Sequence, residues 1–316
     1  MFVYGLTFAA LAVYGSRFMP YAILQDYGTA SFGQRYVPPW QTMPSIPSLP
    51  EATVEGTLQT NGVHLWYAMY GPRLEDSLAQ GNLPIVFLHG GFANSEYFSH
   101  QIISLKELPH TLITIDTRGH GRSSDDLTQP ITYDMLAQDV LSVMDILAVQ
   151  RFSIIGWSDG GCTGFNLAMN HSERIDRVFA FGGTHHYENI NSTVMESDTF
   201  STYMEWAKAD YGRLSPTPDS FEVFEERMEV MWTTQPVWDA GSFARIPSIY
   251  DNPQAPLIWI VAGDSEEAVS RDTPGRLQSW IWGSSLVVLP AVGHFGFLQD
   301  PRTFNAMLQR FLAVER

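Results

Sequence analysis

From residue 52 onward the apolar positions change period along the chain, and each change marks an element. Two alternating stretches, TVEGTLQT and VHLWYAMY, flank Asn61-Gly62. Alternation of this kind predicts strands with one polar face, and Asn-Gly between them predicts a type I′ hairpin turn. Short apolar runs without alternation follow at Pro84–His89, Thr111–Asp116, Phe152–Trp157, Arg177–Phe181, Pro256–Ala262 and Leu286–Leu289. Such runs are what strands buried on both faces look like. Between them the period lengthens. Residues 132–149 place Met135, Leu136, Val140, Leu141, Met144, Ile146 and Leu147 largely on one stripe, and Arg302–Val314 repeats the spacing with Phe304, Met307, Leu308 and Phe311. Alternating strands and helices predict an α/β fold, a mainly parallel sheet with helices on both faces.

One stretch breaks the alternation. Residues 184–250 read as helical and carry many aromatic side chains, among them Phe200, Tyr203, Trp206, Phe224, Trp232 and Trp238. An insertion of this kind between two sheet strands predicts a helical cap over the sheet's carboxyl edge. The expected organisation is therefore a core of residues 51–183 and 251–316 with a cap at 184–250. Ahead of it, residues 37–50 hold five prolines in VPPWQTMPSIPSLP, which excludes regular helix or central strand and predicts an extended lead-in. Residues 1–15 form an uncharged apolar run too short for a bilayer span, which needs about 20 residues. It reads as a secretory or membrane-associating segment, or else as an apolar arm on a cytoplasmic protein.

Composition narrows the function classes. Eighteen basic against 34 acidic side chains give a formal charge of −16, a field that repels phosphate backbones and excludes nucleic-acid partners. Charged residues make up 16%, below the usual ~25%, while aromatics are plentiful, which suits an apolar pocket for a small molecule. The single Cys162 forbids an intrachain disulfide and any multi-cysteine metal site.

The strand Phe152–Trp157 runs into Gly156-Trp157-Ser158-Asp159-Gly160, a G-x-S-x-G between strand and helix. Glycine flanks the serine because the turn is too tight for neighbouring side chains. The turn lifts Ser158 Oγ clear of the sheet and aims the Asp159 N–H, at a helix N-terminus, towards a developing oxyanion. A serine needs a base to take its proton. Of nine histidines, His294 follows the Leu286–Leu289 strand on a loop expected at the same sheet edge, whereas His89 and His120 sit in glycine-rich turns and are expected to organise loops. An acid must orient that base. The strand Pro256–Ala262 ends in Gly263-Asp264-Ser265-Glu266-Glu267, and spacing alone does not choose among the three carboxylates. The second oxyanion donor is expected from His89-Gly90-Gly91-Phe92, at Gly91 or Phe92. Trp157, His186, Trp206 and Phe295 are the candidate substrate contacts.

LHGGFANSEYF, DTRGHGRS, GWSDGG and GHFGFLQDP, in this order over roughly residues 58–316, resemble the α/β-hydrolase superfamily. GWSDGG is especially similar to its valacyclovir hydrolase-like (biphenyl hydrolase-like) branch. The resemblance implies the order serine, acid, histidine, and an acid three residues after the strand-end glycine. That position is Glu266, where the family more often has Asp, so Asp264 stays an alternative. Serine at the nucleophile position argues against the dehalogenase and epoxide hydrolase families, which use Asp there. The resemblance also implies that Arg118 and His120 of DTRGHGRS are structural.

The expected activity is two-step acyl transfer, without cofactor or metal, on a carboxylic ester or lactone with apolar or aromatic groups. Hydrolysis of a C–C bond or an aminoacyl amide uses the same triad. The non-enzymatic alternative is a small-molecule binding protein on the same fold. An Asp159 carboxylate facing the pocket would disfavour anionic substrates and favour neutral or amine-bearing ones.

Overall fold

A computed structural model describes residues 36–315; the apolar run of residues 1–15 lies outside the described residues. The unit formed by residues 37–316 is built on one sheet of eight strands. They are β1 (Val54–Thr60), β2 (Val63–Tyr70), β3 (Ile85–Leu88), β4 (Leu112–Ile115), β5 (Phe152–Trp157), β6 (Ile175–Phe181), β7 (Leu257–Gly263) and β8 (Ser285–Leu289). Their order is β1-β2-β4-β3-β5-β6-β7-β8. β2 pairs antiparallel with both β1 and β4, and every later pairing is parallel. The β1–β2 turn has Asn61 at φ 48° and Gly62 at φ 79°, both central residues in the left-handed region that a type I′ turn requires.

The helices are α1 (Leu74–Ala79), α2 (Ser99–Leu105), α3 (Tyr133–Ile146), α4 (Asp159–Asn170), α5 (Asp198–Leu214), α6 (Phe221–Thr234), α7 (Ala240–Phe243), α8 (Thr273–Trp280), α9 (Gly296–Gln299) and α10 (Pro301–Leu312). The apolar central strands follow from two cores. Ile85 and Phe87 of β3 enter one, and Val86 and Leu88 enter the other, because successive side chains project to opposite faces. α3 begins where Thr132 Oγ1 accepts the Met135 N–H at 3.1 Å. It buries Leu136, Val140, Leu141 and Met144, but Ile146, expected on the stripe, ends the helix half exposed.

β8 also differs from expectation. It is the last strand of the sheet, and Leu286 and Val288 are exposed on one face. A run read as doubly buried is an edge strand covered on one side, and four apolar residues are too few for their period to tell the two apart.

Between β6 and β7, α5, α6 and α7 carry the aromatic residues, with Phe200, Tyr203, Tyr211, Phe221, Phe224 and Phe243 buried. The proline-rich segment is extended apart from a single 3-10 turn at Pro39–Gln41, and its Met43, Ile46 and Leu49 pack against the core. Among the described residues no helix is long and apolar enough to cross a membrane.

Candidate active site

β5 passes into α4 through Ser158, whose backbone stands at φ 55°, ψ −118°. A non-glycine residue there stores strain, which persists where surrounding structure enforces it. The enforcement is close packing of the turn on the neighbouring strand. A Cβ at Gly160 would lie 1.9 Å from the Leu88 carbonyl oxygen, so α4 can approach β3 only with glycine there. Ser158 N–H donates to the Phe181 carbonyl at 2.8 Å, fixing the turn to β6. The side chain is half-buried and α4 begins at the next residue, so the Asp159 N–H is among those with no acceptor inside the helix.

His294 comes from the loop after β8 and is 3% exposed. Its Nδ1 lies 2.8 Å from Glu266 Oε1, an oxygen that also accepts the Ala268 N–H at 2.9 Å. Glu267 points to the main chain instead, accepting the His294 N–H on Oε2 at 2.8 Å. Asp264 accepts from Ser265 Oγ at 3.1 Å. Of the three carboxylates after β7, Glu266 is thus the one on the imidazole. Burial works against charging His294. Attraction and hydrogen bonding from Glu266, then the charges of Glu267 and Asp159, outweigh it and hold the imidazole above its ordinary value. Burial, then the Glu266 charge, push the Glu267 carboxyl up.

Ser158 and His294 open onto one cavity of about 70 Å³, lined mainly by apolar groups that include Val194, Met195, Phe200 and Val269. Asp159 lines it too. Its Oδ1 accepts from the Tyr133 hydroxyl at 2.6 Å and its Oδ2 from Trp232 Nε1 at 2.9 Å. Burial pushes the Asp159 carboxyl up, against those two hydrogen bonds and the attraction of His294. Cys162 lines the same cavity, but burial pushes its thiol up to about 12, so it stays protonated.

The opposing loop is held by its carbonyls. Gly90 O faces His89 Nδ1 at 2.8 Å, and Gly91 O accepts the Tyr203 hydroxyl from α5. Phe92 turns at φ 65°. A Cβ at Gly91 would lie 2.2 Å from the Trp232 ring and 2.5 Å from Asp159 Oδ2, so the loop reaches the site only without a side chain there. Burial lowers His89 and takes His120 down to about 3, leaving both neutral. His89 Nε2 accepts the Thr117 N–H at 3.1 Å, the loop-organising role expected of it.

The expected substrate contacts are not on this cavity. Trp157 turns under the site, donating Nε1 to the His294 carbonyl at 2.9 Å and packing on Phe297. Phe295 is fully buried against Phe200 and Tyr203. His186 stacks on Tyr187 and accepts the Glu188 N–H. Trp206 lines a separate groove of about 840 Å³ between residues 45–55, β2 and α5, where Arg122 and Arg213 are paired with Glu96. Trp157 and Phe295, the aromatic neighbours of Ser158 and His294, lie off the cavity, and its wall includes Tyr133, Phe200 and Trp232 instead. The only sequence signal for Trp232 was its membership of the aromatic insertion.

A family model described as the alpha/beta hydrolase fold matches residues 84–220. With the strand order described above, the chain has the alpha/beta hydrolase fold. Among curated relatives, the serine hydrolase BPHL of Mus musculus is 25% identical over 277 residues, covering 83% of this chain and 87% of that protein. The putative carbamate hydrolase RutD of Caulobacter sp. (strain K31) is 24% identical over 231 residues, 65% of this chain and 81% of that one. Among solved structures, the enol-lactonase from Burkholderia xenovorans LB400 superposes with a TM-score of 0.61 at 22% identity, covering 82% of this chain and all of that one. The strand order and the strand-to-helix connection through Ser158 are those of the alpha/beta hydrolase fold, as the motifs imply.

Proposed function

We propose that this hydrolase cleaves an uncharged carboxylic ester or lactone through Ser158, His294 and Glu266. The observation that carries the reading is the hydrogen bond from His294 Nδ1 to Glu266, which leaves Nε2 as the base, on a cavity that Ser158 shares. Ser158 Oγ attacks the carbonyl as Nε2 takes its proton. The N–H of Asp159 and that of Gly91 or Phe92 receive the oxyanion. His294 then protonates the leaving alcohol, and a water deprotonated by the same nitrogen releases the acid.

The cavity sets the substrate class. A cavity of ~150 Å³ takes benzene, so about 70 Å³ fits a short aliphatic acyl chain as the cap stands. A larger group requires Trp232 to move. The buried Asp159 carboxylate beside the nucleophile disfavours anionic acyl groups. Intact mass after fluorophosphonate treatment, followed by a panel of short-chain esters and lactones, tests the reading. One adduct on the wild type, none on Ser158→Ala, and turnover of neutral short-chain substrates are expected. A folded wild type that takes no adduct and turns over none of the panel overturns it.

A further inference from the structure

The loop after β7 offers His294 two carboxylates from adjacent residues. Glu266 takes the imidazole, and Glu267 takes the main-chain N–H of the same histidine, each at 2.8 Å. The approach of Glu267 is close: a Cβ at Gly293 would lie 2.2 Å from its Oε2. The other oxygen, Oε1, accepts Thr199 Oγ1 at 3.2 Å from the first turn of α5, and Asn191 Nδ2 donates to the Glu267 carbonyl at 3.0 Å. Glu267 therefore joins two parts of the segment between β6 and β7 to the loop that carries His294.

We propose that Glu267 is a positioning residue for His294, fixing the loop through its N–H and adding a second negative charge beside the imidazolium that forms when Ser158 is deprotonated. The proposal rests on the Ser158–His294–Glu266 reading. Ionisable groups acting on His294 are Glu266 and Glu267 from the β7–α8 loop and Asp159 from α4. Those facing Glu267 are Glu266 and His294, with Asp198 of α5 lining the cavity of about 400 Å³ on its outer side. Of the three carboxylates acting on His294, Glu267 is the one hydrogen-bonded both to the main chain of the histidine loop and to α5.

The test follows fluorophosphonate labelling of Ser158 against pH in wild type, Glu267→Gln and Glu267→Asp, with the His294 titration read by NMR and assigned through His294→Gln. Glu267→Gln keeps an acceptor and removes the charge. Its labelling limb and its His294 titration should both move down by about half a pH unit, with plateau labelling roughly tenfold lower. Glu267→Asp keeps the charge at shorter reach, so it should return the limb to its wild-type position while the plateau stays low. A purely structural Glu267 would lower the plateau and leave the limb and the titration where they were, which overturns the proposal. A wild type that takes no label overturns the Ser158 reading and this proposal together; a labelled wild type with an unmoved limb in Glu267→Gln overturns this one alone.

Discussion

Trp232 of α6 donates its indole N–H to Asp159 of α4 at 2.9 Å, so the segment between β6 and β7 is hydrogen-bonded to the residue that follows Ser158. The same ring roofs Gly91 and closes the cavity. Trp232→Ala should open that roof. We expect kcat/KM for p-nitrophenyl octanoate relative to the acetate to rise by about tenfold or more, the scale on which apolar pockets discriminate chain length. An unchanged ratio would show that the acyl chain lies elsewhere.

Trp232→Phe keeps the ring and removes the donor, leaving Asp159 with Tyr133 as its remaining side-chain donor. Loss of one partner from a buried carboxylate costs about 1–3 kcal/mol. Urea denaturation should record that loss at neutral pH. The penalty should shrink on acidification, since a protonated Asp159 needs the donor less.

The pH profile carries a sign. A base must be unprotonated, and His294 is held above the ordinary imidazole value of 6.5. The acidic limb of kcat/KM on an uncharged ester should therefore have its midpoint above 6.5, with activity gained as pH rises through it. Glu266→Gln removes the largest source of that elevation. It should move the limb down and lower the plateau by roughly 10²–10⁴-fold. Asp264→Asn should do neither, and an Asp264 variant with the larger loss would reverse the assignment of the acid.

Arg118 and Asp139 form a buried bidentate pair, with bonds of 2.6 and 2.7 Å, joined by Asn61 of the β1–β2 turn at 2.9 Å from Asp139. Arg118→Ala strands the Asp139 charge away from water and should cost about 3–5 kcal/mol of unfolding free energy. Protein that remains folded at low temperature should keep its active-site titre by fluorophosphonate, because the pair ties the hairpin, the DTRGHGRS loop and α3 together without touching Ser158 or His294.

The parts of the site that sequence disclosed are those with short-range constraints. The strained turn at Ser158 demands glycine within two residues on either side, and Glu266 and His294 each sit just past a strand end. Tyr133, Phe200 and Trp232 obey no such local rule. They line one cavity from three separate helices, so their convergence is a property of packing that no single stretch of sequence records. Trp157 shows the converse. It adjoins Ser158 in sequence, yet it ends a strand buried on both faces, and its ring supports the His294 loop from beneath. Spacing offered three carboxylates after β7, and geometry separates them by where each points: imidazole, main chain, or neighbouring serine.

The proline-rich lead-in has a mechanical side. Gln299 Nε2 donates to the carbonyls of Trp40 and Thr42 at 3.3 and 3.2 Å, while its Oε1 accepts the Gly293 N–H at 2.7 Å, one residue before His294. Prolines that rule out a helix also stiffen this strand of chain, and a stiff strand is a better strut than a supple one. A shortened version beginning at Glu51, where the first sheet strand is about to start, would keep every strand and every α-helix among the described residues and still remove the brace behind His294.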